Sequence, residues 1–410
     1  MRQTVTIARL GHLGDGIADG PVFAPRALPG EVVSGVLDGD QLTDMRIDTP
    51  APERVRPYCR HYSSCGGCQL AHASDGFVAD WKRGVIVAAL TAQGIEADVA
   101  PTLTSPMRSR RRASVSVRRG KKGAMIGFHA RASDQIVPIE DCPVMHPDIQ
   151  AALPGLTELA RLGGSRKAEL SVAITQSDAG LDILVRGGKP LDGPLRADLA
   201  SLVHAQNYAR LTWADDGMDE VIATNHAPVQ TMGRADVTPP PGAFLQATQH
   251  GQDVLVQRVL EITKGAQSVV DLFAGCGTFA LPLAQSSAVQ AFEGDAAMIA
   301  ALDHGWRHAK GLRNVQARVR DLFRDPLRAD ELNAFDAAVI DPPRAGAAAQ
   351  VAQIAQSDLG CLAYVSCNPV TFARDCAALI KVGFQLSHVQ PVDQFRGAAH
   401  VELVAQLQRS

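Results

Sequence analysis

Beyond the stiff run Thr238-Pro239-Pro240-Pro241-Gly242, short apolar segments alternate with helical ones. That alternation makes a doubly wound parallel sheet the architecture to expect. Ser268–Phe273 reads as a buried strand and runs straight into Ala274-Gly275-Cys276-Gly277-Thr278-Phe279 and then a helix. A Gly-x-Gly turn between strand and helix lets the backbone approach a ligand closely, at the point where such sheets bind nucleotides.

The next strand, Val289–Phe292, ends at Glu293, which can accept hydrogen bonds from both hydroxyls of a ribose. Asp321 follows Val315–Val319 and is placed to accept from an adenine amino group. Each acid alone also reads as a solvated loop residue or a helix cap. The three features in this order point to an adenosine-type cofactor. Ala280 stands where a dinucleotide fingerprint has its third glycine. This favours S-adenosylmethionine, which has no pyrophosphate to cradle.

Two further strand ends carry chemistry. Phe335–Ile340 leads into Asp341-Pro342-Pro343-Arg344, whose prolines preset an extended loop and aim Asp341 at a flat ring. Leu362–Ser366 presents Cys367, and Asn368-Pro369 opens the next helix. A thiol at a helix N-terminus is expected to have a lowered pKa. A lone cysteine is usually a small buried hydrophobe; the strand end, the Asn-Pro flank and the upstream Asp-Pro-Pro-Arg reverse that reading. In Ala399–Ala405, Val401 and Leu403 alternate with His400 and Glu402, so a strand puts Glu402 on the face opposite the two apolar side chains. A thiol, a carboxylate base and a rigid loop are the equipment for methylating C5 of a pyrimidine. Thiolate addition at C6 makes C5 nucleophilic, and a base then removes the C5 proton so that the thiol can leave.

The first 240 residues read differently. Val5-Thr6-Ile7, Pro21-Val22-Phe23 and Glu31-Val32-Val33, divided by Gly14-Asp15-Gly16 and Pro29-Gly30, suggest a small β-barrel within residues 1–50. A helix is expected from Asp75 to about Gln93. Strands at Ala113–Val117, Ser171–Thr175 and Leu181–Val185, with helices near 148–162 and 191–203, suggest an α+β unit. Cys59, Cys65 and Cys68 are spaced C-x5-C-x2-C, and Cys142 sits in a Glu-Asp-Cys-Pro turn. In a cytosolic chain such cysteines are more often metal ligands than disulfides, and tetrahedral zinc is one option.

The chain has 410 residues, enough for two or three domains, and a net charge of −3, which argues against indiscriminate polyanion binding. A local basic stretch remains: Arg108, Arg110, Arg111, Arg112, Arg118, Arg119, Lys121 and Lys122 are either a phosphate-binding face or a solvated strand pair. No apolar run is long enough to span a bilayer, and Met-Arg-Gln-Thr-Val-Thr-Ile lacks a signal-peptide core, so a cytoplasmic location is expected.

Taken together, these motifs resemble the S-adenosylmethionine-dependent RNA uracil-C5 methyltransferases. Within them the chain is similar to the branch with an N-terminal TRAM barrel and a [4Fe–4S] cluster, whose typical substrate is large-subunit (23S) ribosomal RNA. The most specific residues are Cys59-x5-Cys65-Gly-Gly-Cys68-Gln, Asp341-Pro-Pro-Arg, Ser-Cys367-Asn-Pro and His-Val-Glu402. The resemblance implies Cys367 as nucleophile and Glu402 as general base. Gln246 would contact cofactor and target base, with Phe244 against the target. Phe273, Thr278, Glu293, Asp321 and Asp341 would complete the cofactor pocket, Asp341 also holding the uracil edge. Cys59, Cys65, Cys68 and Cys142 would ligate a structural cluster, since four cysteines leave no iron open for radical chemistry.

Thr248, where the family often has Asn, and Phe395-Arg-Gly-Ala-Ala, where it usually has Phe-Pro-x-Thr, are departures within the base pocket. The expected organisation is a TRAM-like OB barrel (1–50), a central α+β RNA-binding domain with the cluster (51–240) and a Rossmann-like methyltransferase domain (241–410). The helix at 75–93 is expected against the last of these. The implied product is 5-methyluridine in 23S rRNA, made by a monomer. Transfer RNA as substrate, a non-catalytic ribosome assembly factor and a cytosine-C5 enzyme are the rival readings.

Overall fold

The computed structural model describes residues 2–215 and 217–409. Arg2–Leu10, Gly16–Ala18, Val22–Ala24, Val32–Asp38 and Gln41–Thr49 form a closed barrel, consistent with an OB-like domain. Alternate residues fill it, among them Ile7, Ala18, Val22, Val33 and Leu42. The buried Glu31 carboxylate accepts from the Leu28 and Ala51 N–H groups and pairs with Arg54. Its charge is thereby compensated, and the barrel is tied to the segment that follows.

The central unit is a seven-stranded sheet in the order Met218–Thr224, Arg210–Asp215, Gly180–Arg186, Leu170–Ser177, Arg112–Arg119, Ala124–His129, Ile136–Pro138. Val115, Val117, Val172, Ile174, Ile183 and Val185 alternate along their strands and pack with Leu156 and Leu159 of the helix Leu156–Gly163 and Leu199 of the helix Gly193–Gln206. The first helical stretch expected here is divided: Pro147–Ala152 and Leu156–Gly163 are separated by a 3-10 turn containing Pro154. Proline cannot donate the hydrogen bond that would continue the helix.

The third unit is an eight-stranded sheet: Val315–Val319, Ala288–Glu293, Ser268–Leu272, Ala337–Ile340, Cys361–Ser366, Glu402–Gln408, Gln385–Asp393, Leu103–Thr104. The first five are parallel and Glu402–Gln408 is antiparallel to its neighbours. Both faces are covered, and along each strand alternate residues enter opposite cores. Leu272, Ile340 and Tyr364 join Phe372 on one side, while Val269, Val339 and Ala363 join Leu255 on the other. The strand expected over Ala399–Ala405 runs instead over Glu402–Gln408, and Val401, Leu403 and Ala405 do enter one core while Val404 enters the other. Glu402, Leu403, Val404 and Ala405 are all buried, because their strand lies inside a sheet covered on both faces.

Residues from early in the chain complete this sheet. Leu103–Thr104 pairs in parallel with Val392 and Asp393. The helix Asp75–Thr91, capped by Ser74, packs on the helix Pro369–Ile380 and places Ile86 and Leu90 in the core with Phe372. Each such aliphatic side chain contributes about 1.5–3 kcal/mol. Among the described residues no helix is long and apolar enough to cross a membrane.

Candidate active site

Strand order reverses at Ser268–Leu272, which lies between Ala288–Glu293 and Ala337–Ile340. Beyond the carboxyl ends of these strands is a cavity of about 510 Å³. Gln246, Phe273, Thr278, Glu293, Asp321, Asp341, Cys367 and Glu402 all line it, as does Phe244. The sequence spreads these residues over more than a third of the chain, and the fold brings every one to a single space.

The turn after Ser268–Leu272 shapes one end. Phe273 has φ 64°, a left-handed conformation costing a non-glycine residue about 1–3 kcal/mol. It turns the ring into the cavity, 5.3 Å from that of Phe323. Gly277 (φ 96°) is closely packed, since a Cβ there would approach Leu281 and Leu302 to 2.9 Å. A Cβ on Gly275 (φ 55°) would meet nothing within 4 Å. Glu293 accepts from the N–H groups of Gly275 at 3.0 Å and Asp295 at 3.1 Å. Oδ1 of Asp321 accepts from the Phe323 and Arg324 N–H groups. An apolar wall, an open turn and a strand-end carboxylate suit an adenosine bearing a sulfur substituent.

Cys367 and Glu402 close the other end. In the antiparallel pair, Ser366 is opposite Leu403, so the register continued by one residue sets Cys367 against Glu402. Asn368 caps the helix Pro369–Ile380 and donates through Nδ2 to the Arg344 carbonyl at 2.9 Å, joining the thiol turn to the Asp-Pro-Pro-Arg loop. Burial pushes the Cys367 thiol up to about 11, and the facing carboxyls of Glu402 and Asp341 push in the same direction. The lowered pKa expected from the helix N-terminus is thus outweighed. Burial, then Asp341, raises Glu402 to about 8, and burial alone raises Asp341 to about 7.

Asp271 is a residue that sequence reasoning misses. It is fully buried, its carboxylate oxygens reach no well-formed hydrogen-bond partner among the described residues, and burial followed by Asp341 raises it to about 8, with only the Ala280 N–H favouring the ion. The available signal is one acid inside the apolar run Val269-Val270-Asp271-Leu272.

A second cavity, about 270 Å³, reaches Cys367 from another side and is lined by His12 and Leu13 of the barrel unit, Arg131 of the central unit, and Arg344 and His400. The basic stretch lies elsewhere and is largely structural. Arg111 is 4% exposed and donates to the Gln246 carbonyl at 3.1 Å, to Gln230 and to Gln252. Arg112 donates to the carbonyls of Leu245 and Ala243. Arg118 pairs with Glu169, and Arg119 donates to the Gly164 carbonyl. Lys121 and Lys122 are exposed. Neither reading of the stretch, phosphate face or solvated strand pair, describes Arg111 and Arg112, whose guanidiniums are spent on carbonyls and side-chain amides and hold the segment bearing Gln246.

Cys59, Cys65, Cys68 and Cys142, all partly buried, line one cavity of about 280 Å³ with Arg110 and Arg396. Burial and the neighbouring thiols raise Cys68 to about 12. Among the described residues, no group of three or more His, Cys, Asp or Glu is arranged to hold a metal ion. The expected ligands thus share a space without closing on one centre.

Known proteins resemble this chain along most of its length. The family tRNA (Uracil-5-)-methyltransferase matches residues 236–410. An uncharacterized RNA methyltransferase of Brucella suis biovar 1 (strain 1330) is 42% identical over 406 residues, covering 98% of this chain and 97% of the relative. The 23S rRNA (uracil(1939)-C(5))-methyltransferase of Shewanella sp. (strain ANA-3) is 31% identical over 428 residues, with 98% and 95% covered. The fold is also that of the Pyrococcus abyssi tRNA (uracil-54, C5)-methyltransferase in complex with S-adenosyl-L-homocysteine, with a TM-score of 0.78, 22% identity, and 98% and 99% of the two chains covered. Likeness along both whole chains, and not residues 236–410 alone, makes this protein a member of the S-adenosylmethionine-dependent RNA (uracil-5-)-methyltransferase family.

Proposed function

We propose that this enzyme forms 5-methyluridine in 23S rRNA, with Cys367 as nucleophile and Glu402 as general base. The observation that carries the reading is the placement of thiol and carboxylate opposite one another at the end of two paired strands, in the cavity that also holds the cofactor-type residues. Phe273, Thr278, Glu293 and Asp321 would hold the cofactor. S-adenosylmethionine, when bound, supplies an electrophilic methyl group. The chain's own residues do the rest. Cys367 reacts as the thiolate: a lone pair of Sγ bonds to C6 of the uracil, and the electron pair of the C5–C6 double bond becomes available at C5. Once C5 is methylated it still carries its proton. Glu402 takes that proton, the double bond re-forms, and the C6–S bond breaks to release the thiolate. Phe244, 60% exposed, offers a flat face to a uracil that has left its stack.

The 23S assignment is supported by the similarity to the Shewanella enzyme along nearly its whole length. Barrel, central and catalytic residues around the second cavity support an RNA path across all three units. For the four cysteines the reading is a structural [4Fe–4S] cluster. What supports it is that all four thiols line one cavity of about 280 Å³ without closing on a single centre.

The test is methylation of total RNA from a strain lacking the gene, followed by mapping of 5-methyluridine. Label in one 23S position is expected. Label confined to transfer RNA corrects the substrate, and absence of any 5-methyluridine overturns the reaction.

A further inference from the structure

Gln246 and Gln394 face each other inside the protein, each 2% exposed. Nε2 of Gln394 donates to Oε1 of Gln246 at 2.7 Å. An amide's nitrogen and oxygen are distinguished only by their partners, and here the partners decide. Oε1 of Gln394 accepts at 3.2 Å from the backbone N–H of Thr248, a group that can only donate. The other end of Gln394 must therefore be the donor, and the atom of Gln246 that it meets must be the oxygen. The NH2 of Gln246 is left pointing at Asp341, 3.4 Å from Oδ2, at the cavity wall. A backbone donor has fixed the orientation of an amide two residues away through a third side chain.

The fold invests in this arrangement. Gly251 lies where a Cβ would come within 2.4 Å of the Gln394 side chain, so glycine makes the room for it. Thr248 caps the helix Gln249–Ile262, its hydroxyl accepting from the Gly251 N–H and meeting that of Ser105 at 2.8 Å. Asp393, beside Gln394, is held by a buried ion pair with Lys82.

A uracil edge offers an acceptor at O4 and a donor at N3. Cytosine offers a donor at N4 and an acceptor at N3. An NH2 group next to a carboxylate matches uracil and opposes cytosine at both positions. We propose that Gln394 is the residue that makes this enzyme choose uracil, by holding the Gln246 amide with its NH2 toward Asp341. Gln394 is a positioning residue and does not touch the base. The inference rests on the assignment of Gln246 and Asp341 to the base edge.

The experiment uses the full-length enzyme and two synthetic RNAs, one spanning the mapped target uridine and one with cytidine in its place. Gln394→Met keeps the volume and removes the donor; Gln394→Asn keeps the amide but shortens its reach, and serves if the first variant fails to fold cooperatively. Either should lower the uridine-to-cytidine ratio of single-turnover methylation by roughly ten- to hundredfold. Gln246→Glu, which has no NH2 to orient, should lower the ratio by itself, and adding Gln394→Met should then change it by less than about twofold. A folded Gln394 variant with the wild-type ratio, or effects of the two substitutions that multiply, would overturn the inference and leave the methyl-transfer chemistry standing. Wild-type enzyme inactive on the uridine RNA would overturn that chemistry, and the inference with it.

Discussion

Lys82 and Asp393 form an ion pair of 2.6 Å with side chains 0% and 1% exposed, joining a helix near the start of the chain to a strand near its end. Lys82 also donates to the Phe395 carbonyl at 3.2 Å, and the Phe395 N–H donates to Asp393. Two residues on, the Gly397 carbonyl accepts from both the Gln69 and Leu70 N–H groups at 2.8 Å, immediately after Cys68. The loop between Asp393 and Glu402 is thus held by segments from early in the chain. The cysteine block and the helix Asp75–Thr91 act as its scaffold.

Removing one member of this pair strands a buried charge. Lys82→Met should destabilise the enzyme by about 3–5 kcal/mol, read from urea unfolding. Adding Asp393→Leu should restore much of the stability, because no charge is then left unpaired. A cost below about 1 kcal/mol for Lys82→Met would show that water reaches Asp393 and that the pair is not a strut.

Cys367→Ala should abolish methyl transfer and leave S-adenosylhomocysteine binding nearly intact, since the thiol acts on the base. Glu402→Gln should allow attack and transfer but stall elimination, so that a protein–RNA adduct with a methylated base accumulates on denaturing gels. Normal turnover by Glu402→Gln with no adduct would assign the proton to another acceptor. In the wild-type enzyme the elimination step, followed as decay of the methylated adduct, should quicken as pH rises through about 8, where Glu402 becomes the carboxylate that elimination needs.

The same carboxyl gives a stability prediction with a definite sign. Its folded pKa, raised to about 8, lies above the ordinary value of 4.5. Below 4.5 both states hold the proton. Between 4.5 and 8 the unfolded chain releases it and the native state keeps it, so native stability falls as pH rises. Glu402→Gln should therefore melt higher than wild type at pH 8, with the difference vanishing below pH 4.5. Equal melting at both pH values would mean that the carboxyl is not desolvated.

Much of this is legible in the sequence because it is local. Glycines and a strand–helix junction announce the Gly275–Gly277 turn within a dozen residues, and turn signals mark the barrel. What sequence reasoning misses depends on distant partners. Leu103–Thr104 is too short to carry a period and becomes a strand only by pairing with Val392 and Asp393. Arg111 reads as surface charge until its carbonyl and amide partners are seen. The Cys367 thiol looks activated from its own helix, yet burial, and then Glu402 and Asp341 from distant parts of the chain, raise its pKa.

Iron and sulfide should be present in near-equal amounts in anaerobically purified protein, with brown colour. Cys→Ser at 59, 65, 68 or 142 should remove the colour and lower the melting temperature, because cluster binding energy is also folding energy. Cys276→Ser and Cys376→Ser should keep the colour. Because Gly397 hangs from Gln69 and Leu70, the Cys68 variant should also weaken methyl transfer. Colourless protein containing zinc alone would replace the cluster by a single-ion site.

Basic residues that are free to meet phosphate must be told apart from those that are not. Arg111 is spent on the Gln246 carbonyl, Gln230 and Gln252, so Arg111→Gln should lower stability and activity without altering how RNA affinity depends on salt. Arg344 is exposed and lines both cavities beside Cys367, and Lys121 and Lys122 are exposed on the central unit. Removing a side chain that neutralises one phosphate should flatten the logarithmic salt slope by about 0.7 for single-stranded RNA. Arg344→Gln should show this if the strand runs through the second cavity, as barrel and catalytic residues around that space imply. The Lys121→Gln, Lys122→Gln pair should show it only if RNA also crosses the central sheet. An unchanged slope for Arg344→Gln, measured by filter binding over a salt series, would move the RNA path away from the cavity that reaches Cys367.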